Sequence, residues 1–392
     1  MEERKNKSFG IKYFLGGVLV TCLVVAVLYF VAMWLPLGGA PGKPDSFQAQ
    51  RKIKEIERLI EKHYLGEVDE QQQTDYMFLG LVAGLGDRYS TYYTQEEYEK
   101  IKRAQDGAFI GIGITIVQRN EDQKLQVIDC MEDSPAAKAG VKAGDVIESI
   151  NGTNAEGMTS SQAVELIQKS EDTAITMVLT REGSDAPVTV EIAKETVEMK
   201  SVEGEMLENQ IGYIQITEFT GVTSSQFEKI YGELKDKGMQ KLVIDLRDNP
   251  GGLVDGVCDT LSQILPEGVI VYTEDKDGNR NERDCEGKTP IDIPLAVLVN
   301  EGSASASEIF AGAVKDYGIG TLVGTTTFGK GIVQNTYQLS DGSVVKLTVS
   351  HYYTPKGNDI NGTGITPDVE VEQPEDSETD VQLAKALEVL AS

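Results

Sequence analysis

The chain has 392 residues, 40% of them hydrophobic, and a formal net charge of -27. This is too long for one typical core, and two or three domains are expected. So acidic a surface repels phosphate and excludes a nucleic-acid partner. There are only two histidines, His63 and His351, so a histidine-centred catalytic site has little to draw on. The four cysteines have neither C-x-x-C nor metal-ligand spacing; a Cys258–Cys285 disulfide is left open, and no metal site is expected.

Residues 13–42 carry no charge, and Phe14 to Trp34 is apolar over enough length to cross a bilayer as a helix. Arg4, Lys5, Lys7 and Lys12 precede it, which places the N-terminus in the cytoplasm and the body of the chain outside. Pro41 follows the small-residue run Gly38-Gly39-Ala40 and disfavours cleavage there, so the segment reads as a retained anchor. Residues 1–44 are therefore expected to be tail, anchor and Gly/Pro linker.

Ile53, Ile56, Leu59 and Ile60 recur at helical spacing. A second helix is expected from Thr74 to Leu85, and a third capped by Thr94, with Glu97 completing a capping box. Residues 45–104 thus read as a helical segment suited to dimerisation or a higher homo-oligomer. From 105 to 195 the character changes. Phe109-Ile-Gly-Ile-Gly-Ile114 alternates glycine with aliphatics, Ser134 and Pro135 open a short helix, and Asn151-Gly152 ends a strand. Ser161 to Gln168 is amphipathic with Ala163, Val164 and Ile167 inward, and Ala174 to Arg181 and Val188 to Ile192 read as strands. This order resembles a PDZ domain, in which such a loop offers backbone N–H groups to a peptide's terminal carboxylate. The resemblance assigns Phe109, Ile110, Gly111, Ile112, Gly113 and Ile114 to substrate binding. Arg181, ending a strand, is assigned to coupling and gating between this segment and the next.

Residues 196–371 alternate strands and helices, as a mixed sheet covered by helices does. Buried strands are expected at Lys241–Arg247 and Pro294–Asn300, and helices at Ser224–Lys237, capped by Ser224 or Thr223, at Val254–Leu265 and at Ser307–Tyr317. Ligands of such sheets sit at the carboxyl ends of strands, where Asp248-Asn-Pro-Gly-Gly252 and Asn300-Glu-Gly-Ser-Ala-Ser-Ala-Ser-Glu-Ile309 lie. Ser303, Ser305 and Ser307 compete there as a nucleophile, and Ser307 with Glu308 also suits a helix cap. Pro250-Gly-Gly252 suits an oxyanion hole, because glycine exposes N–H groups. Lys330 stands between Gly329 and Gly331, with Phe328 and Ile332 as apolar neighbours and Gln334 in reach of its amine. Burial would keep that amine neutral and basic. Residues 372–392 are an acidic linker and a helix.

Taken together, Asp245 to Gly252, Asn300 to Ile309 and Thr327-Phe-Gly-Lys-Gly-Ile-Val-Gln334 resemble the carboxy-terminal processing (tail-specific) proteases, Ser–Lys peptidases with an embedded PDZ domain. The resemblance runs from about residue 46 to 392. It implies Ser305 as nucleophile, Lys330 as base, Gln334 as the base's partner, and Ala306 with Gly251 and Gly252 as oxyanion donors. Asp316 matches an acid of some relatives and reads as structural support; His351 stands where relatives often carry arginine or lysine. The fold class is α+β and multidomain: transmembrane helix, helical arm, a β-sandwich-like PDZ domain and a mixed α/β serine protease core. The implied activity is membrane-anchored endoproteolysis, with no cofactor, of protein or peptide substrates that have accessible C-termini. The rival is a non-catalytic PDZ-bearing adaptor that retains the fold.

Overall fold

The computed structural model describes residues 46–170, 172–184, 186–374, 377 and 379–391. The apolar run Phe14–Trp34 lies outside them; among the described residues no helix is long and apolar enough to cross a membrane. The chain divides into two units, residues 1–74 and 75–392. The first holds α1 (Ser46–His63) and the start of α2 (Glu70–Ala83). Ile53, Ile56 and Leu59, which recur at helical spacing, are exposed on α1.

In the second unit, β1 (Thr91–Tyr93) leads into α3 (Gln95–Asp106). Thr94 and Glu97 form the expected capping box, and Gly107 ends α3 in the left-handed region. The chain then enters an inserted body. β2 (Ala108–Gly111) pairs with β9 (Glu195–Glu198) as a two-stranded ribbon at its base. Above it, β3 (Ile114–Gln118), β4 (Leu125–Cys130), β5 (Val146–Ile150), β7 (Ala174–Thr180) and β8 (Val188–Ala193) form an antiparallel sheet in that order, with β6 (Thr153–Asn154) on β5. Helices α4 (Pro135–Lys138, capped by Ser134) and α5 (Ser160–Lys169) complete it. Ala163 and Ile167 of α5 enter the core as expected, but Val164 is 40% exposed, because it borders an open groove against β3.

Strands β10 (Val202–Leu207), β11 (Ile211–Ile216), β12 (Lys241–Asp245), β15 (Leu295–Val299), β16 (Thr321–Gly324) and β19 (Val369–Glu370) make the main sheet in that order. All its pairs are parallel except β10 with β11. Helices α6 (Thr223–Asp236), α7 (Val254–Leu261) and α8 (Ala306–Tyr317) cover one face, and α9 (Val381–Ala391) the other. Residues of one strand split accordingly: Leu242 and Ile244 join the first core, Val243 the second. A sheet buried on both faces needs such continuous aliphatic runs. A second sheet runs β1, β18 (Val344–Tyr353), β13 (Gly268–Asp275), β14 (Arg280–Cys285), with β17 (Ile332–Gln338) on the other side of β18.

Several expectations are corrected. Thr223 does not cap α6 from outside; it is the first helical residue, and its hydroxyl accepts from the Thr220 amide. The β13–β14 hairpin went unread because β14 carries Arg280, Glu282, Arg283 and Asp284, which hide a strand from any hydrophobic pattern. Strand β10 went unread as well; its exposed Glu203, Gly204 and Glu205 blur the alternation. The Cys258–Cys285 pairing, left open by the sequence, is not made: both are separate buried thiols, and burial pushes the Cys258 thiol up to about 11.

Candidate active site

Strand β15 is fully buried and delivers the chain to Asn300 at the carboxyl edge of the sheet. The turn that follows makes the three serines unequal. The Ser303 hydroxyl is buried, donates to Leu246 O (2.7 Å) and accepts from the Asn300 amide (3.0 Å). The Ser307 hydroxyl is buried and donates to Asn249 O (2.9 Å). Ser305 alone of the three is partly exposed. It has φ 54° and ψ -112°, a backbone that non-glycine residues adopt only where the surroundings impose it.

Those surroundings are specific. The Ser305 amide donates to Glu308 Oε2 (2.9 Å). Its carbonyl accepts from Glu308 N (2.8 Å), Ile309 N (3.0 Å) and the Tyr352 hydroxyl (3.0 Å). Ser305, not Ser307, is thus the residue that precedes α8, which corrects the cap read from the sequence. Glu308 is fully buried and accepts three further bonds, from Thr327 Oγ1 (2.6 Å), Gly329 N (2.7 Å) and Lys330 N (2.8 Å). One carboxylate therefore ties the serine turn to the lysine loop. A buried charge is tolerated when its lone pairs are filled in this way.

The lysine loop lies against residues 361–364. A Cβ on Gly329 would stand 2.9 Å from Gly364 N, and one on Gly331 2.7 Å from Asn361 N, so the flanking glycines are there for close approach. The Lys330 Nζ lies 4.8 Å from the Tyr89 ring centroid. Burial, then the Lys346 and Arg88 charges, pull its pKa below the usual lysine value, against a smaller opposing pull from Glu308. Phe328 does not bury it, being 48% exposed under the Arg88 guanidinium. The shielding aromatic is Tyr89, from the segment before β1, which no local pattern around Lys330 reveals. Gln334 Nε2 reaches Thr348 Oγ1 at 3.5 Å. Among the described residues no hydrogen bond joins Lys330 Nζ to Ser305 Oγ or to Gln334.

The glycine turn abuts the serine turn. A Cβ on Gly251 (φ 106°) would fall 2.6 Å from Ala304 O and 2.8 Å from Ala306 N. Asn249 locks the two turns together. It is fully buried, its carbonyl accepts from Ala304 N (3.0 Å), and its side chain donates to Ile216 O (2.8 Å). Its Oδ1 takes the Gly251 amide (2.9 Å). The amides of Gly252 and Ala306 have no acceptor among the described residues. Asp316 accepts from Lys356 N (2.8 Å) and Asn358 Nδ2 (3.3 Å), a role in holding the turn after β18, and His351 is exposed on β18. Sequence reasoning read Glu308 only as part of a helix cap and missed the roles of Asn249 and Tyr352; an acid three residues after the serine was the one available signal.

In the inserted body, Phe109, Ile110 and Gly111 belong to β2, and Ile112, Gly113 and Ile114 turn the chain into β3. Gly113 has φ 77°, and a Cβ there would meet Ser134 Cβ at 2.3 Å. The Ile112 and Gly113 amides have no acceptor among the described residues. Beside them runs an apolar groove lined by Phe109, Ile110, Ile114, Ile116, Val164 and Ile167. Arg181 lies away from this groove's lining: Nε and Nη2 grip Asp145 Oδ1 (2.7 Å) and Oδ2 (2.8 Å), and Nη2 also donates to Gly140 O (2.7 Å). Burial raises the Asp145 carboxyl, and the Arg181 guanidinium outweighs it, leaving the pKa below the ordinary value.

Residues 210–371 match the model of peptidase family S41, and residues 126–181 that of the PDZ domain. The chain is 33% identical over 368 residues to a carboxy-terminal-processing protease of Bartonella bacilliformis, an alignment that covers 92% of this chain and 82% of the relative. It is 34% identical over 377 residues to a probable CtpA-like serine protease of Staphylococcus epidermidis, covering 95% and 76%. Among solved structures it is similar to a photosystem II D1 C-terminal processing protease, with 30% identity, a TM-score of 0.49, and 88% and 92% of the two chains covered. The chain belongs to the carboxy-terminal-processing proteases of peptidase family S41, and is a serine-type endopeptidase with a PDZ domain.

Proposed function

We propose that the chain is a membrane-anchored endopeptidase in which Ser305 attacks the peptide bond and a neutral Lys330 takes the hydroxyl proton and returns it to the leaving amine. The amides of Ala306 and Gly252, at the turn that Gly251 shapes, stabilise the tetrahedral oxyanion. Gln334 orients the amine once Lys330 leaves the Tyr89 ring for Ser305. The observation that carries this reading is the Glu308 bridge, which fixes the Ser305 and Lys330 amides on the same carboxylate oxygen.

The PDZ and protease domains fit protein substrates with accessible C-termini. The groove beside Phe109–Ile114 holds the tail, the terminal carboxylate meeting the Ile112 and Gly113 amides. Arg181 acts in coupling by keeping β7 in place beside Asp145. Phe14–Trp34 anchors the chain, with the catalytic body on the extracytoplasmic side. The exposed Ile53, Ile56 and Leu59 of α1 meet a second copy, since one apolar helix face gains from burial against its own kind.

Turnover of β-casein by the full chain tests the chemistry. Ser305→Ala and Lys330→Arg abolish it, the second because a guanidinium stays charged, while Ser303→Ala keeps a measurable part. An active Ser305→Ala enzyme would overturn the assignment. An inactive wild type that still binds C-terminal peptides would support the adaptor reading.

A further inference from the structure

The second sheet ends in two very different edges. On one side the edge strand is β14, with Arg280, Glu282, Arg283 and Asp284. Proteins guard sheet edges with such charges, because an unpaired edge is a template for another strand. On the other side the edge is β17, whose sequence Ile332-Val-Gln-Asn-Thr-Tyr-Gln338 contains neither charge nor proline. In a chain that is 25% charged, this edge is unguarded.

The main-chain groups that β17 leaves open follow from its pairing with β18. The Leu339 amide donates to Ser343 O, so hydrogen-bonded pairs recur two residues on, at Tyr337/Val345 and Asn335/Leu347. The amides and carbonyls of Thr336 and Gln338 therefore point away from β18. Gln334 pairs with Thr348 in the same register, just short of the bulge, and the Thr348 amide is directed to Ser90 Oγ (3.0 Å), which leaves Gln334 facing outward too. Beside this edge lies an open cavity of about 440 Å³, lined by Gln95, Tyr98, Glu99 and Lys102 of α3 and by Thr336 and Gln338. The edge begins at the catalytic loop. Ile332 is two residues after Lys330, and Tyr352 joins Gly331 O (amide, 3.0 Å) to Ser305 O (hydroxyl, 3.0 Å).

We infer that the β17 edge is the docking strand for the segment of substrate about to be cut: an extended polypeptide adds to it as a further strand and hydrogen-bonds to the outward groups of Gln334, Thr336 and Gln338. This rests on the proteolytic reading above and adds the part of the substrate recognised near the scissile bond. Backbone pairing is blind to side chains, and the polar cavity accepts varied ones. Tail selection and bond positioning are then separate, the first in the PDZ groove and the second on β17.

The test uses the full chain and a quenched fluorogenic peptide taken from β-casein, methylated at one backbone amide at a time. Each lost hydrogen bond raises KM roughly fivefold, and the effect alternates along the peptide with a period of two residues. Thr336→Pro removes one outward amide without touching the β17–β18 ladder, since proline is tolerated on an edge. It raises KM for the unmethylated peptide by a similar factor, with kcat little changed and melting temperature confirming the fold. Should that variant not fold, the methylation scan on wild type decides alone. A flat scan with normal cleavage overturns the docking strand and leaves the protease standing. If wild type cleaves nothing, the same scan is read as binding to the Ser305→Ala chain: periodic loss of affinity keeps the docking strand and sinks the protease, and flat binding sinks both. A Thr336→Pro chain that changes its sedimentation but not its KM marks the edge as a contact between copies, which also overturns the inference.

Discussion

The serine turn and the lysine loop share one carboxylate, yet they are held to different depths. At the serine turn every atom of the Ser305 main chain that can bond is engaged, and its positive φ is imposed by Glu308, Ile309 and Tyr352. At the lysine loop only the main chain is pinned; the Lys330 side chain rests on an aromatic face. Ser305 is thus prepositioned, while the Lys330 amine can change place by rotating its own side chain, a motion far faster than rearranging a packed turn.

Breaking what the two regions share has the largest effect. Glu308→Ala leaves the Ser305, Gly329 and Lys330 amides and the Thr327 hydroxyl without their acceptor. At about 1–3 kcal/mol per unsatisfied buried group, a loss of roughly 3–5 kcal/mol is expected after partial relaxation, together with loss of casein turnover. Urea denaturation that leaves the midpoint in place would show the bridge to be idle. Gly251→Ala strikes the serine turn alone: its Cβ meets Ala304 O at 2.6 Å and displaces the amides around it. A fall of about a hundredfold in kcat is expected, with KM nearly kept. Tyr352→Phe removes one bond to the Ser305 carbonyl, about 1 kcal/mol, and lowers kcat by up to roughly tenfold; an unaltered kcat would mean that the turn is fixed without it.

The smallest effect sharpens the comparison from the lysine side. With Lys330 as the proposed base, activity needs its neutral amine and is expected to rise with pH through the lowered Lys330 pKa. Burial contributes most of that lowering and Lys346 the next part. Lys346→Gln removes a repelling cation, restores some basicity, and moves the acid limb of kcat/KM to higher pH. A limb that stays still, or moves down, would mean that another group controls it.

Much of the core was legible because both faces of its main sheet are covered: Lys241–Asp245 and Leu295–Val299 announce themselves as aliphatic runs, and the capping residues Thr94 and Ser134 act locally. The site's glycines, serines and lysine were legible as motifs. What was not legible depends on the third dimension. Tyr89 shields Lys330 from far away in sequence, and Asn249 looks like an ordinary turn residue until its side chain is seen to join two turns. Phe328 beside Lys330 invited a burial argument that its exposure refutes. Val164 fits the inward stripe of α5 and yet borders the groove, because periodicity reports a face and not what covers it.

The inserted body leaves α3 at Gly107 and returns at Met199, and these two residues are hydrogen-bonded to each other, Met199 N to Gly107 O at 2.7 Å. The crossing is fastened from below by Gly221, whose amide donates to Gln105 O at 2.9 Å, and a Cβ on Gly107 would strike the Thr220 hydroxyl at 2.4 Å. To the rest of the chain the whole PDZ domain is therefore a loop of nearly zero span. Its ends are brought together by the ribbon at its own base, so the core need bear little of the closure entropy that a long insertion otherwise imposes. Such a module can be lengthened, exchanged or excised without altering the distance the core must bridge.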